Sequence, residues 1–167
     1  LAVPGVLIFI WQMVLVSRRT ERRQMGVEVV GSGVLALIAP AAMWVGVGEP
    51  VQIGWLLWIL VWLQSAASIV YAYLRLAQRP LKSMPSMPEK LAMGRRALIY
   101  ASFNLLAAGA LSVMGIVPPY LFLPYALQWL ETLWGTFNPA VGKKPNSIGI
   151  RQTIVTTLFT LLFILVW

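Results

Sequence analysis

The sequence predicts an all-α fold, a polytopic transmembrane helical bundle, and three observations carry that expectation. Of the 167 residues, 59% are hydrophobic and only 11% charged, whereas ordinary globular domains carry about a quarter charged residues. The thirteen Lys and Arg behind the net charge of +8 are confined to three clusters. Between the clusters lie uncharged runs on the scale of the ~20 apolar residues that a helix needs to cross a bilayer core.

The elements follow from those runs. Residues 3–16 form a first apolar stretch, a little short for a span, which ends at the cluster Arg18, Arg19, Arg22 and Arg23. Since Leu1 opens directly inside this stretch, the chain is expected to continue N-terminally. A second span at 27–47 contains Pro40, which removes a backbone donor and should kink the helix. The third, at 53–76, runs into the second cluster: Arg75, Arg79, Lys82, Lys90, Arg95 and Arg96. Residues 78–94 hold Pro80, Pro85 and Pro88 and read as an irregular cytoplasmic linker. The uncharged run 97–130 is too long for one span, and Pro118-Pro119 divides it into spans at 97–116 and 120–137. Pro124 within the latter should give a second kink. A sixth span at 148–167 follows Lys143 and Lys144 and carries Arg151 in its first turn. The whole chain, 1–167, is thus expected to form one transmembrane domain of six spans.

Charge orients this bundle. Every basic cluster follows an odd-numbered span, and the opposite connections, 46–52 and 115–119, hold no Lys or Arg. Such asymmetry marks the basic loops as cytoplasmic. The excess positive charge is accordingly topological and lipid-facing; no nucleic acid is expected as a partner. Trp11, Trp44, Trp55, Trp129, Trp134 and Trp167 sit where interfacial aromatic anchors belong, and Ser32 with Ala36, four apart, forms a small-residue packing face.

Site chemistry is narrowed by what the chain lacks. It has no His, Cys or Asp, and its five acids are all Glu. Disulfides, thiolate nucleophiles, Cys/His zinc sites, His-ligated haem and Ser-His-Asp triads are excluded within these residues. No metal site and no catalytic residue is expected. Ionisable groups inside spans are costly and mark candidate sites, so Glu28, Arg75, Arg96, Asn104, Glu131, Arg151 and Gln152 form a candidate polar cluster in the cytoplasmic half. Two readings stand for it: local ion pairing with Arg snorkelling to the head groups, or a cytosol-facing cavity that takes an anion. Apolar grooves walled by Trp and Phe also suit a quinone or carotenoid bound without His.

From Arg22 onward the sequence resembles the YwiC-like family of bacterial polytopic membrane proteins. The resemblance rests on Glu28 at the start of the second span, Ala39-Pro40-Ala41-Ala42 within it, Tyr71-Ala72-Tyr73-Leu74-Arg75-Leu76, Leu133-Trp134-Gly135, and Lys144 to Gly149 before the last span. In the family the last pattern continues with a Glu where this chain has Gln152. The resemblance implies a longer N-terminus and a layout similar to UbiA-type prenyltransferases, whose Asp-rich loops hold magnesium and a prenyl diphosphate; this chain has no Asp. The expected function is a non-catalytic accessory or interaction subunit of a larger bacterial membrane complex, with membrane lipids and other integral subunits as partners. The alternatives are a small-solute or anion transporter, and a lipid- or prenyl-processing enzyme whose metal-binding loops precede Leu1.

Overall fold

A computed structural model of the protein describes Ile10 and residues 25–167. The expected first span, its Arg cluster and Trp11 lie outside the described residues. Residues 25–167 form six helices and no strand: α1 (Met25–Leu35), α2 (Ile38–Val47), α3 (Ile53–Gln78), α4 (Met87–Val113), α5 (Phe122–Phe137) and α6 (Pro145–Val166). Among the described residues, four helical segments are long and apolar enough to cross a membrane: Met25–Val47, Ile53–Gln78, Met87–Val113 and Pro145–Val166. The expected span at 120–137 becomes α5, 16 residues long. The chain, read as one domain from its sequence, gathers its contacts into two compact units, Leu1–Ile69 and Val70–Trp167.

In the N-terminal unit the effect of Pro40 appears one turn before the proline itself. Pro40 has no amide to offer the Ala36 carbonyl and its ring crowds that oxygen, so the helix breaks at residues 36–37. There the bonding tightens to three-residue steps, with the Leu37 amide donating to Val34 O at 3.1 Å and the Ala39 amide to Ala36 O at 3.1 Å. By turning to Val34, Leu37 gives up the Gly33 carbonyl, and the Trp58 indole N–H donates to that oxygen from α3 at 2.7 Å. One turn along, Trp62 Nε1 donates to Val29 O at 2.8 Å, and the two indoles stack 5.5 Å apart. These pairings run in opposite directions along the two helices, which are therefore antiparallel.

Gly33 makes this approach achievable, because a Cβ there would sit 2.7 Å from Trp62 Cε2. The expected packing pair contributes differently. Ala36 is buried, but Ser32 is half-buried and its hydroxyl donates within its own helix, to Val29 O at 2.8 Å. Replacing Trp58 with Phe keeps an aromatic ring of smaller size and deletes the donor. The expected cost is about 1–2 kcal/mol, that of leaving one buried carbonyl unsatisfied, read as a lower thermal midpoint in mild detergent; an unchanged midpoint would show that the Gly33 carbonyl does not need this partner. The link from α2 to α3 turns on Gly48, whose φ of 88° is open to glycine and whose amide caps Trp44 O at 2.8 Å.

In the C-terminal unit α4 begins at Met87, ten residues before the expected start at 97, so the second half of the 78–94 segment is helical. The signal is a capping box: the Glu89 carboxylate accepts the Ser86 backbone N–H at 2.7 Å and its hydroxyl at 2.8 Å, with Pro88 tolerated in the first turn. α4 and α5 are antiparallel. A Cβ on Gly94 would strike Thr136, and Trp129 Nε1 donates to Ser102 Oγ at 3.0 Å. Pro124 lies in the first turn of α5, where its missing amide breaks no helical bond, so the expected kink there is absent. From Gln128 onward the buried stripe of α5 is small or polar (Gln128, Thr132, Gly135, Thr136), and the two threonines bond back to carbonyls of their own helix at 2.8 Å. Helices that must meet in lipid, without a hydrophobic drive between them, use such residues to pack closely. α6 returns antiparallel along α5, with Phe159 edge-on to Tyr125 at 5.1 Å.

Candidate functional site

The last turns of α3 and α5 and the first turns of α6 meet in the C-terminal unit. Tyr71 and Arg75, four apart on one face of α3, reach Glu131 and Gly135, four apart on α5. Tyr71 Oη donates to Glu131 Oε1 at 2.7 Å and Arg75 Nη1 to Gly135 O at 2.6 Å. Equal spacing in the same direction makes these two segments parallel. Gly135 admits the contact, since a Cβ there would lie 2.5 Å from Tyr71 Cε2.

Arg75 is 3% exposed and acts as a cap on a foreign helix. Its Nη1 also donates to Asn138 O at 2.8 Å and Gln78 Oε1 at 3.0 Å. The final carbonyls of any helix lack intrahelical donors and form the negative end of its dipole, and here a guanidinium from α3 supplies both hydrogen bonds and charge. Gln78 completes the cap, with Nε2 to Gly135 O at 3.2 Å and Oε1 accepting the Ala140 amide at 3.1 Å. The chain then turns at Gly142, φ 66°, whose amide donates to Arg79 O at 3.2 Å, while Arg79 Nε donates to Lys143 O at 2.9 Å.

Arg151 closes the arrangement from α6. Nε and Nη2 each donate to a Glu131 oxygen at 2.7 Å, the fork-on-fork geometry that a guanidinium favours. Its face lies 3.5 Å over the Trp134 ring, which also has Arg75 at 5.2 Å and Lys143 Nζ at 5.4 Å. Glu131 is thus the single carboxylate among three cations that share one indole. Beside it is a pocket of about 20 Å³, room for roughly one water molecule. Tyr71, Arg75, Glu131 and Arg151 line its inner part, with Lys143, Ser147, Ile148 and Gln152 nearer α6.

Of the seven candidate residues, Arg75, Glu131, Arg151 and Gln152 come together here. Arg96 is exposed on α4 and does not line the pocket. Asn104 is buried on the α4 stripe that includes Gly94. Glu28 lies exposed in the first turn of α1, in the N-terminal unit. Tyr71, Gln78, Trp134 and Lys143 belong to the group without having been singled out for it; the 71, 75, 78 spacing on one helical face was the available signal. Among the described residues no three His, Cys, Asp or Glu side chains converge as a metal site would need.

The tryptophans read as anchors occupy varied surroundings. Trp44 Nε1 donates to Val51 O at 2.9 Å and meets Trp55 edge-on at 5.0 Å. Trp129 bonds to α4, Trp134 lies within the cation group, and Trp167 stacks on Phe163 at 5.6 Å. Comparison with protein-family models, curated proteins and solved structures finds no match.

Proposed function

We propose that this chain is a multi-pass protein of a bacterial inner membrane that acts as a non-catalytic accessory or interaction subunit, of YwiC-like type, in a larger membrane assembly. The observation that carries this reading is how the polar groups are used. Glu131 is held by Tyr71 and Arg151, and Arg75 by the end of α5, so the costliest side chains join helices to one another. Meanwhile only 17–33% of the most apolar window in each long helix is buried within the chain. The remainder is surface for lipid and for neighbouring helices. Ile99, Phe103, Leu106 and Val113, all exposed on α4, exemplify it.

Orientation follows from charge. α3 and α5 end where α4 and α6 begin, and every Lys and Arg from Arg75 to Arg151 lies in the connecting loops or within about three helical turns of those ends. The positive-inside rule then supports a cytoplasmic position for them, with six spans once 3–16 and α5 are counted. The test is extraction from the native membrane in a mild detergent after cross-linking in intact membranes. The expected result is a complex of fixed stoichiometry with at least one other integral membrane protein. A lone monomer, with no cross-linked partner, overturns the reading.

A further inference from the structure

We infer that the pocket beside Glu131 is a binding site for a phosphate-bearing anion. Its walls hold Arg75, Lys143 and Arg151 against one carboxylate, an excess of two positive charges where three helix ends meet. Arg151 spends Nε and Nη2 on Glu131 and keeps a side chain 43% exposed. Among the described residues its third nitrogen, Nη1, has no protein partner. Trp134 and Glu131 together fix the guanidinium plane, so this donor is presented without further loss of rotamer freedom.

Ser147 and Arg151, four apart in α6, place a hydroxyl and a guanidinium edge along one side of the helix start, and Lys143, in the turn that precedes it, lines the same pocket. Donors offered from successive turns suit a tetrahedral oxyanion, whose oxygens point several ways, better than a planar carboxylate. A volume of about 20 Å³ admits the tip of such a group in place of a water and leaves the rest of the molecule outside. Next along α6, Ile150 and Ile154 are 63% and 54% exposed, an apolar strip against which an acyl chain can lie. The same chemistry serves a phospholipid head group and a free phosphate, and the assay separates them.

The chain is reconstituted in phosphatidylcholine nanodiscs and given either inorganic phosphate or a minor fraction of phosphatidylglycerol. Binding is read as a saturable rise in thermal midpoint and as broadening of the phosphorus resonance. Saturation with phosphate identifies a free anion as sufficient, and saturation with phosphatidylglycerol alone identifies a lipid site. Lys143→Gln is expected to weaken binding about fivefold, as for one basic side chain near an anionic head group, and Ser147→Ala about threefold. Both residues are exposed; should one variant melt early without probe, the other carries the comparison. Lys82→Gln removes the same charge outside the pocket and is expected to change affinity less than twofold. No saturable response to either probe, or an equal loss in Lys82→Gln and Lys143→Gln, overturns the assignment.

Discussion

Arg75→Ala is expected to destabilise the protein by about 2–4 kcal/mol, from buried acceptors left unmet and the loss of a helix-end counter-charge. The reason lies in what remains after the side chain is gone. The carbonyls of Gly135 and Asn138 belong to the end of α5 and have no helical donors of their own; Gln78 reaches only the first of them. Each buried acceptor left unmet costs about 1–3 kcal/mol, and the dipole of α5 loses its counter-charge. Arg75→Lys restores charge but not the planar fork, and a single ammonium on a shorter reach recovers only part of the loss. The check is a thermal melt in mild detergent, followed by the fraction of fluorescence-tagged chain that stays monodisperse. An Arg75→Ala chain that melts with the wild type would remove Arg75 from its assigned role.

Gly135→Ala is expected to cost about 1–3 kcal/mol, as overpacking does in a close-packed interior, although Ala is otherwise the better helix former by about 1 kcal/mol. The added methyl meets the Tyr71 ring at 2.5 Å. Tyr71 is 4% exposed and tied to Glu131, so it yields only by giving up that bond. Substitutions at Gly135 and Tyr71 are therefore coupled. With Tyr71→Ala present, Gly135→Ala should lose most of its cost, and a double-mutant cycle should return a favourable coupling of about 1 kcal/mol or more. Strict additivity would place the strain elsewhere.

Much of the architecture was legible because it depends on composition and charge. The Lys and Arg of the described residues lie in the segments 79–86 and 138–144 or in the adjoining turns of the long helices, and Pro118-Pro119 does separate α4 from α5. The early start of α4 had a visible signal too, in Ser86 and Glu89 at capping-box spacing, but three prolines in 78–94 argued for irregular chain. Pro88 is compatible with a first turn, and the cap decides. Similarly, Pro40 and Pro124 look alike as residues inside apolar runs. One interrupts a continuing helix and the other opens a new one, a difference set by where the preceding turn ends.

The polar cluster was legible by a different route. Arg75, Glu131 and Arg151 stand out because a charge within or beside an apolar run demands an explanation, and the structure brings these three together while Glu28, Arg96 and Asn104 lie apart. Depth alone does not say which way a side chain faces. Helices apolar nearly all round carry little rotational information, which is why Arg96 and Asn104, at suitable depth, lie apart from the pocket. Tyr71 and Gln78 were missed because neither is charged, though both share a helical face with Arg75.

The length of α5 has a consequence for the bilayer itself. Sixteen residues span about 24 Å, some 6 Å less than a typical hydrocarbon core, whereas α4 and α6 on either side have 27 and 22 residues. A membrane matched to the longer pair is too thick for the shorter helix between them. Mismatch of this kind is relieved by thinning the bilayer locally or by burying the polar end of the short helix in protein. Arg75 and Gln78 supply the second remedy by hydrogen-bonding the α5 terminus in place of solvent, so a helix of this length can end below the head groups of a bilayer matched to α4 and α6.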